Sequence, residues 1–156
     1  MSPKASISFF RDWTFEINQK LTKCIYTNIL CGKSSSAKDP VYQTFISQRE
    51  KLFPKEVLNL FEELGVDFTK EHRINHKILD NGQVCIDGNF QFIGNFVKGD
   101  SCKIELSKDY TLFELIPINE NFSIGFHQDE TPFFNQHVIH VEFSVNVPQR
   151  VRATSA

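Results

Sequence analysis

Residues 54–65, PKEVLNLFEELG, and residues 72–78, HRINHKI, differ in the spacing of their apolar side chains. The first stretch has the i, i+3, i+4, i+7 spacing of a helix with one buried face, formed by Val57, Leu60, Phe61 and Leu64. Gly65 follows where a helix commonly ends in a left-handed residue. In the second stretch histidine or isoleucine stands at every second position, which favours a strand. The chain therefore changes from helical to extended structure between Gly65 and His72.

The chain upstream of residue 54 also predicts helices. Asp39 and Pro40 are the residue types preferred at the N-cap and at the first position of a helix, and residues 31–38 have the composition of a loop. Between Ile7 and Ile29 the pattern is ambiguous, because apolar residues recur at helical intervals but residues 13–17 also alternate as in a strand. We expect a helix over this segment and keep a strand through Glu16 as the alternative.

Turn sequences separate the alternating runs downstream of residue 72. They are Asp80-Asn81-Gly82, Asp87-Gly88, Lys98-Gly99-Asp100 and the segment 117–121, and the Asp-Gly pair is typical of a tight hairpin. Consecutive strands joined by short turns form an antiparallel meander. We therefore predict the α+β class, with N-terminal helices packed on one face of a C-terminal antiparallel β-meander sheet.

The length of 156 residues fits one domain. We predict a single domain over residues 1–156, with a helical part over about residues 5–65 and a β-rich part over about 70–148. We expect the tail, residues 149–156, to be frayed.

Composition excludes several classes of function. The formal net charge of −2, with mixed signs along the chain, argues against a phosphate-binding surface for nucleic acid. No apolar start resembles a secretory signal, and no run reaches the ~20 apolar residues that span a bilayer. We expect a cytoplasmic protein with no nucleic-acid or membrane partner.

The thiols do not form a recognisable site. None of the four cysteines belongs to a C-x-x-C pair, so we expect free thiols rather than a zinc ribbon or a redox motif. They are Cys24, Cys31, Cys85 and Cys102. Cys24 and Cys31 flank a segment expected to be exposed, and a nucleophilic role for either stays open.

Two further motifs match a known binding pattern only in part. Gly32-Lys33-Ser34 matches the end of a phosphate-binding loop, but Thr27 stands where that loop needs its first glycine, so we interpret the segment as an ordinary loop. His72 and His76 have the spacing of a zinc-binding pair, but Arg73 replaces the glutamate of the zincin pattern. We interpret them as histidines on one face of a strand.

The strongest candidate site lies on the last hairpin, residues 122–147. If Ile124 and Val141 face the core, alternation sends His127, His140 and Glu142 to the opposite face. We expect Ile124 to pair near Val141 and Gly125 near His140, which places His127 diagonal to His140. Asp129, just beyond the strand, can join them, whereas His137 should point with Ile139 toward the core.

The set His127, Asp129, His140 and Glu142 suits a divalent transition metal such as zinc, or a general base with an orienting acid. The same residues are also ordinary on an exposed sheet face. Because no catalytic constellation is complete, we expect a small non-enzymatic binding or accessory protein without a cofactor, with another protein as the candidate partner. The alternative is a small metal-dependent, hydrolase-like enzyme centred on this set.

Overall fold

The computed structural model of the protein describes residues 6–36, 38–128 and 136–147. Within these ranges four helices lie in the first half of the chain, namely α1 (Gln19–Thr27), α2 (Lys33–Ser36), α3 (Pro40–Leu52) and α4 (Lys55–Leu64). The Asp39 side chain accepts the amide of Val41 and caps α3. Gly65 ends α4 with a φ of 86°, a conformation that glycine adopts without a steric penalty. These local signals are confirmed.

Nine strands complete the fold: β1 (Ser6–Phe10), β2 (Trp13–Ile17), β3 (Arg73–Ile78), β4 (Val84–Lys98), β5 (Lys103–Ser107), β6 (Tyr110–Phe113), β7 (Ile116–Pro117), β8 (Phe122–Gln128) and β9 (Val138–Val147) among the described residues. The main sheet has the order β1-β2-β4-β9-β8-β7, and β3 also pairs with β4. All the pairings are antiparallel. The α+β class with an antiparallel sheet is confirmed.

The N-terminal segment corrects the expected helix between Ile7 and Ile29. Residues 6–17 form the β1–β2 hairpin, and only Gln19–Thr27 is helical. The alternating residues Trp13, Phe15 and Ile17 are all buried, so the strand alternative is the right one. Apolar residues recur in this segment both at helical spacing and at every second position, and burial in the fold selects the strand spacing.

The expected hairpin at Asp87-Gly88 is wrong, and so is the simple meander that depends on it. Asp87-Gly88 lies inside β4, which continues from Val84 to Lys98 without a turn. A Cβ atom at Gly88 would collide with the ring of Phe143 on the neighbouring strand, so this glycine permits close packing. The long β4 pairs with β9, which is distant in sequence, and β5–β6 form a separate two-stranded ribbon.

Strand alternation gives the main sheet two different faces. One face is aromatic, with Phe90 and Phe143 in a core that also contains Phe53, from the junction of α3 and α4. The Phe53 ring lies 5.1 Å from that of Phe143 and 6.2 Å from that of Phe90. The other face, called the polar face here, carries Asn89, Gln91, His127, His140 and Glu142.

Helix α1 hydrogen-bonds to the part of β4 that lies between the residues paired with β3 and those paired with β2. The Tyr26 hydroxyl donates to the carbonyl of Gln91 at 2.8 Å and accepts its amide at 3.0 Å. The Ile93 amide donates to Thr22 Oγ1 at 2.9 Å. Side chains of α1 thus replace a missing strand and hold the helix beside the polar face. No helix within the described ranges is long and apolar enough to cross a membrane.

Candidate functional site

The polar face brings together three of the four expected site residues. His127 on β8 stands directly opposite His140 on β9, and Gly125 stands opposite Glu142. The register differs from the expected one, because Ile124 pairs with Phe143 and not with Val141. A shift of two residues preserves the face of every side chain, so the cluster forms with His127 opposite His140 rather than diagonal to it. Asp129 lies outside the described residues.

Glu142 is the centre of the cluster. It is 4% exposed, and each carboxylate oxygen accepts a hydrogen bond. His127 Nε2 lies 2.9 Å from Oε2, which also accepts from Asn89 Nδ2. Arg73 Nη2 donates to Oε1 at 2.6 Å. The buried charge is therefore paired and hydrogen-bonded, as a buried carboxylate must be.

The environment of Glu142 keeps the carboxylate ionised. Burial raises its pKa, but the hydrogen bond from His127, the charge of Arg73 and the hydrogen bond from Asn89 act in the opposite direction and leave the pKa below its ordinary value. Because Glu142 is ionised, it orients the Nε2 atom of His127, as a carboxylate does for a catalytic or ligand-binding imidazole.

The two imidazoles lie in a stack of three rings. The His127 and His140 ring centroids are 4.6 Å apart with 6° between the planes, and Phe113 of β6 lies 5.0 Å from His127. His127 is therefore enclosed between two rings and is only 8% exposed. His140 is less buried, and its Nδ1 makes long contacts with Asn89 Nδ2 at 3.4 Å and Gln91 Nε2 at 3.5 Å.

The cluster can be compared with a metal site. One ligand atom from each of His127, His140 and Glu142 lies within 4.8 Å of the others. However, a metal bonded to an imidazole lies in the plane of that ring at ~2.1 Å from the nitrogen, and two parallel stacked rings share no such point. A shared ion would require one ring to rotate and the carboxylate to give up donors, so the observed arrangement is a hydrogen-bond network.

An unsatisfied atom lies in the same network. Asn89 is 2% exposed, and its Oδ1 has no hydrogen-bond partner among the described residues. Rotating the amide would bring an oxygen against the Glu142 carboxylate, so the present orientation is favoured. A buried acceptor without a donor costs ~1–3 kcal/mol, and a donor from a ligand or a water would remove that cost.

A groove of about 170 Å³ lies on the polar face between α1 and the strands. Its lining is mostly apolar and includes Ile25, Ile29, Ile93 and Val138. Lys70, His72 and Gln91 supply polar groups. Since Gln91 Nε2 is 3.5 Å from His140 Nδ1, the groove adjoins the cluster.

The remaining histidines have separate positions. His76 Nδ1 lies 2.9 Å from the Tyr42 hydroxyl, and its Nε2 lies 3.5 Å from Asp39, so it connects β3 to α3. His137 does not enter the buried core as expected, because it is partly exposed, with Nδ1 3.3 Å from Gln128 Nε2. It is not part of the cluster.

The Gly32-Lys33-Ser34 segment is held by an internal carboxylate. Glu71 accepts the Ser34 amide at 2.6 Å and the Ser34 hydroxyl at 2.5 Å. Arg49 Nη1 lies 3.5 Å from the other oxygen of Glu71. A Cβ atom at Gly32 would lie 2.5 Å from the carbonyl oxygen of Thr69. The glycine and serine therefore serve a structural contact. The expected loop over residues 31–38 is wrong in part, because Lys33–Ser36 form the short helix α2.

The thiols divide into two exposed and two buried groups. Cys24 and Cys31 are exposed, whereas Cys85 and Cys102 are buried. Burial raises the pKa of Cys102 to about 12, so this thiol is protonated at neutral pH and is not a nucleophile. A Cβ atom at Gly125 would lie 2.6 Å from Cys102 Cβ, so Gly125 allows the chain before β5 to approach the cluster.

Sequence reasoning missed Arg73, Asn89, Gln91 and Phe113 as members of the site. Arg73 and Asn89 stand opposite each other on β3 and β4, and they reach Glu142 only because β4 pairs with β9 in the fold. For Asn89, the sequence does offer one indication, because an asparagine within an otherwise apolar strand needs hydrogen-bond partners when it is buried. No protein-family model, curated protein or solved structure matches the chain.

Proposed function

We propose that the protein is a small-molecule-binding protein whose ligand lies in the groove on the polar face. The observation that carries the proposal is the continuity of the groove with the His127–His140–Glu142 cluster through Gln91. A mostly apolar concave site with a few convergent polar groups is the usual form of a ligand pocket. The proposal belongs to the binding class expected from the sequence, with a small molecule as the partner.

The proposal assigns opposite roles to the two faces of the sheet. Helices α3 and α4 cover the aromatic face, where Phe53 contacts Phe90 and Phe143. The part of the polar face beside α1 is left for the ligand, with α1 as one wall of the groove. The expected cytoplasmic location and a protein partner stay predictions.

Titration of isotope-labelled protein with benzyl alcohol, followed by NMR, tests the groove. We expect saturable shifts at Ile25, Ile29 and Ile93, with an affinity in the millimolar range because the probe has few atoms. Ile25→Trp should fill the groove and weaken binding. Leu30→Trp is the matched control, since Leu30 is 98% exposed and does not line the groove.

Two results would contradict the proposal. One is the absence of saturable shifts at the groove residues with neutral and charged single-ring probes alike. The other is equal weakening of binding by Ile25→Trp and Leu30→Trp, since that would place the probe elsewhere on the surface.

Zinc binding with hydrolase-like chemistry is the second candidate function, favoured by the three ligand atoms within 4.8 Å. It requires His140 or His127 to leave the ring stack. Cobalt(II), which gives visible absorption in tetrahedral zinc sites, is the probe. A cobalt spectrum lost in His140→Ala would support this candidate, and a colourless, unchanged protein would exclude it.

A further inference from the structure

We infer that the ligand of the groove is a small carboxylate carrying an apolar body the size of a single ring. This inference rests on the proposed small-molecule site and specifies its ligand. Two independent properties of the groove carry it, namely its volume and the sign of the charges around it.

The volume limits the apolar body of the ligand. The groove holds about 170 Å³, and an apolar cavity of ~150 Å³ accommodates benzene. The floor is formed by Ile93 and Val138 of the sheet, and the wall by Ile25 and Ile29 at α1. A single aromatic or branched aliphatic group fills this space.

The charged groups determine the polar end. Lys70 and His72 line the groove, and no Asp or Glu is among the lining residues that the structure describes. Lys70 Nζ has three N–H bonds and donates one hydrogen bond, to the Tyr26 carbonyl at 2.9 Å. Asp67 offsets part of its charge from 3.8 Å. Donor capacity therefore remains at Lys70 for an acceptor on the ligand.

His72 lines the groove and lies near both basic and acidic side chains. Partial burial lowers the pKa of His72, and the charges of His140, Lys33 and Arg73 lower it further, against the opposing charge of Glu142. The nearby acids are engaged with other partners, since Glu142 binds Arg73 and His127 and Glu71 binds Ser34 and contacts Arg49. Lys70, which lines the groove and keeps donor capacity, can therefore meet an anionic end of the ligand.

The fit with a carboxylate follows from these donors. A carboxylate has two acceptor oxygens, which can receive hydrogen bonds from Lys70 and from the amide of Gln91 or the ring of His72. Hydrogen bonds between charged partners are about twice as strong as neutral ones. A neutral or cationic end of the same size would lose this interaction.

Three probes with the same ring separate the alternatives: benzoate, benzyl alcohol and benzylamine, each titrated into the 156-residue chain and followed by NMR. We expect benzoate to bind about tenfold more tightly than benzyl alcohol, and benzylamine to bind most weakly. Lys70→Met should remove the benzoate preference without changing the affinity for benzyl alcohol, and Lys70→Arg should retain it. Lys20→Met, an exposed change on α1 outside the groove, is the matched control.

The outcomes distinguish this inference from the function on which it rests. Equal affinities for the three probes, a preference for benzylamine, or an unchanged benzoate affinity in Lys70→Met would overturn the carboxylate assignment and leave the small-molecule site standing. Failure of all three probes to bind would overturn both.

Discussion

Glu71 and Glu142 are both buried carboxylates, with exposures of 2% and 4%, and each lies beside an arginine. Their surroundings differ. Glu71 accepts the amide and hydroxyl of Ser34 and lies near Arg49, whose side chain is only 11% exposed. Its partners do not titrate near neutral pH. Glu71 holds the segment around Ser34 in place and therefore has a structural role.

Glu142 has partners of another kind. It accepts from an imidazole and from Arg73, whose side chain is 50% exposed. It also accepts from Asn89, whose own Oδ1 is unsatisfied among the described residues. The two buried carboxylates therefore differ in whether their partners are titratable, accessible or incompletely satisfied. Burial alone does not reveal this difference, because both side chains are almost fully buried.

The largest expected effect is at the structural carboxylate. Glu71→Ala leaves the Arg49 charge buried without its partner and should lower the free energy of unfolding by ~3–5 kcal/mol. Urea denaturation measures this loss. Glu63→Ala, an exposed change on α4, should stay within ~0.5 kcal/mol of the wild type. A loss below ~1 kcal/mol in Glu71→Ala would show that the Glu71–Arg49–Ser34 contacts do not stabilise the fold.

Glu142→Gln should have a smaller and pH-dependent effect. In the variant, the side-chain NH2 group would face a donor of His127 or Asn89, and the charge-assisted hydrogen bonds would be lost. We expect the free energy of unfolding to fall by ~1–3 kcal/mol near pH 7. Because the pKa of Glu142 is lowered on folding, its contribution is complete above the unfolded value of 4.5 and is lost as pH falls through the folded value.

Urea denaturation of wild type and Glu142→Gln between neutral and acidic pH gives the measurement. The stability difference between the two proteins should be largest near neutral pH and should shrink in acid. Glu120→Gln, an exposed change, provides the control with no such trend. A constant difference across the series would mean that the ionised carboxylate is not what stabilises the cluster.

The same contrast explains what the sequence can predict. Local signals suffice for α4 and for its end at Gly65, because a helix is determined by residues within a few positions of one another. Alternation also places His127, His140 and Glu142 on one face without knowledge of the partner strands, since the period of two is a property of each strand.

The remaining features depend on contacts between distant parts of the chain. The sequence around Gly88 predicts a turn, because it does not reveal the contact of Gly88 with Phe143. The apolar residues between 7 and 17 fit both helical and strand spacing, and only their burial in the fold selects the strands. Arg73 and Asn89 join Glu142 only because β4 pairs with β9 across a large separation in sequence. Such pairings leave no local pattern, so the sequence places the two imidazoles and Glu142 on one face but does not predict the residues that surround them.

The smallest expected effect is at the accessible arginine. Arg73→Met removes a half-exposed ion pair, 2.6 Å long, from a carboxylate that keeps two other donors. We expect a loss of about 1 kcal/mol, because solvent screens the half-exposed arginine, and the loss should diminish at high salt. Denaturation at low and high salt gives both values.

Arg49→Met is the matched change at the other carboxylate. It removes an arginine with an 11% exposed side chain and leaves Glu71, whose side chain is 0% exposed, so its cost should be larger and should depend little on salt, since buried charges are screened much less. Equal costs and equal salt dependence for Arg73→Met and Arg49→Met would remove the distinction between a closed structural carboxylate and an accessible one. The assignment of the polar face as the functional face would then rest on the groove alone.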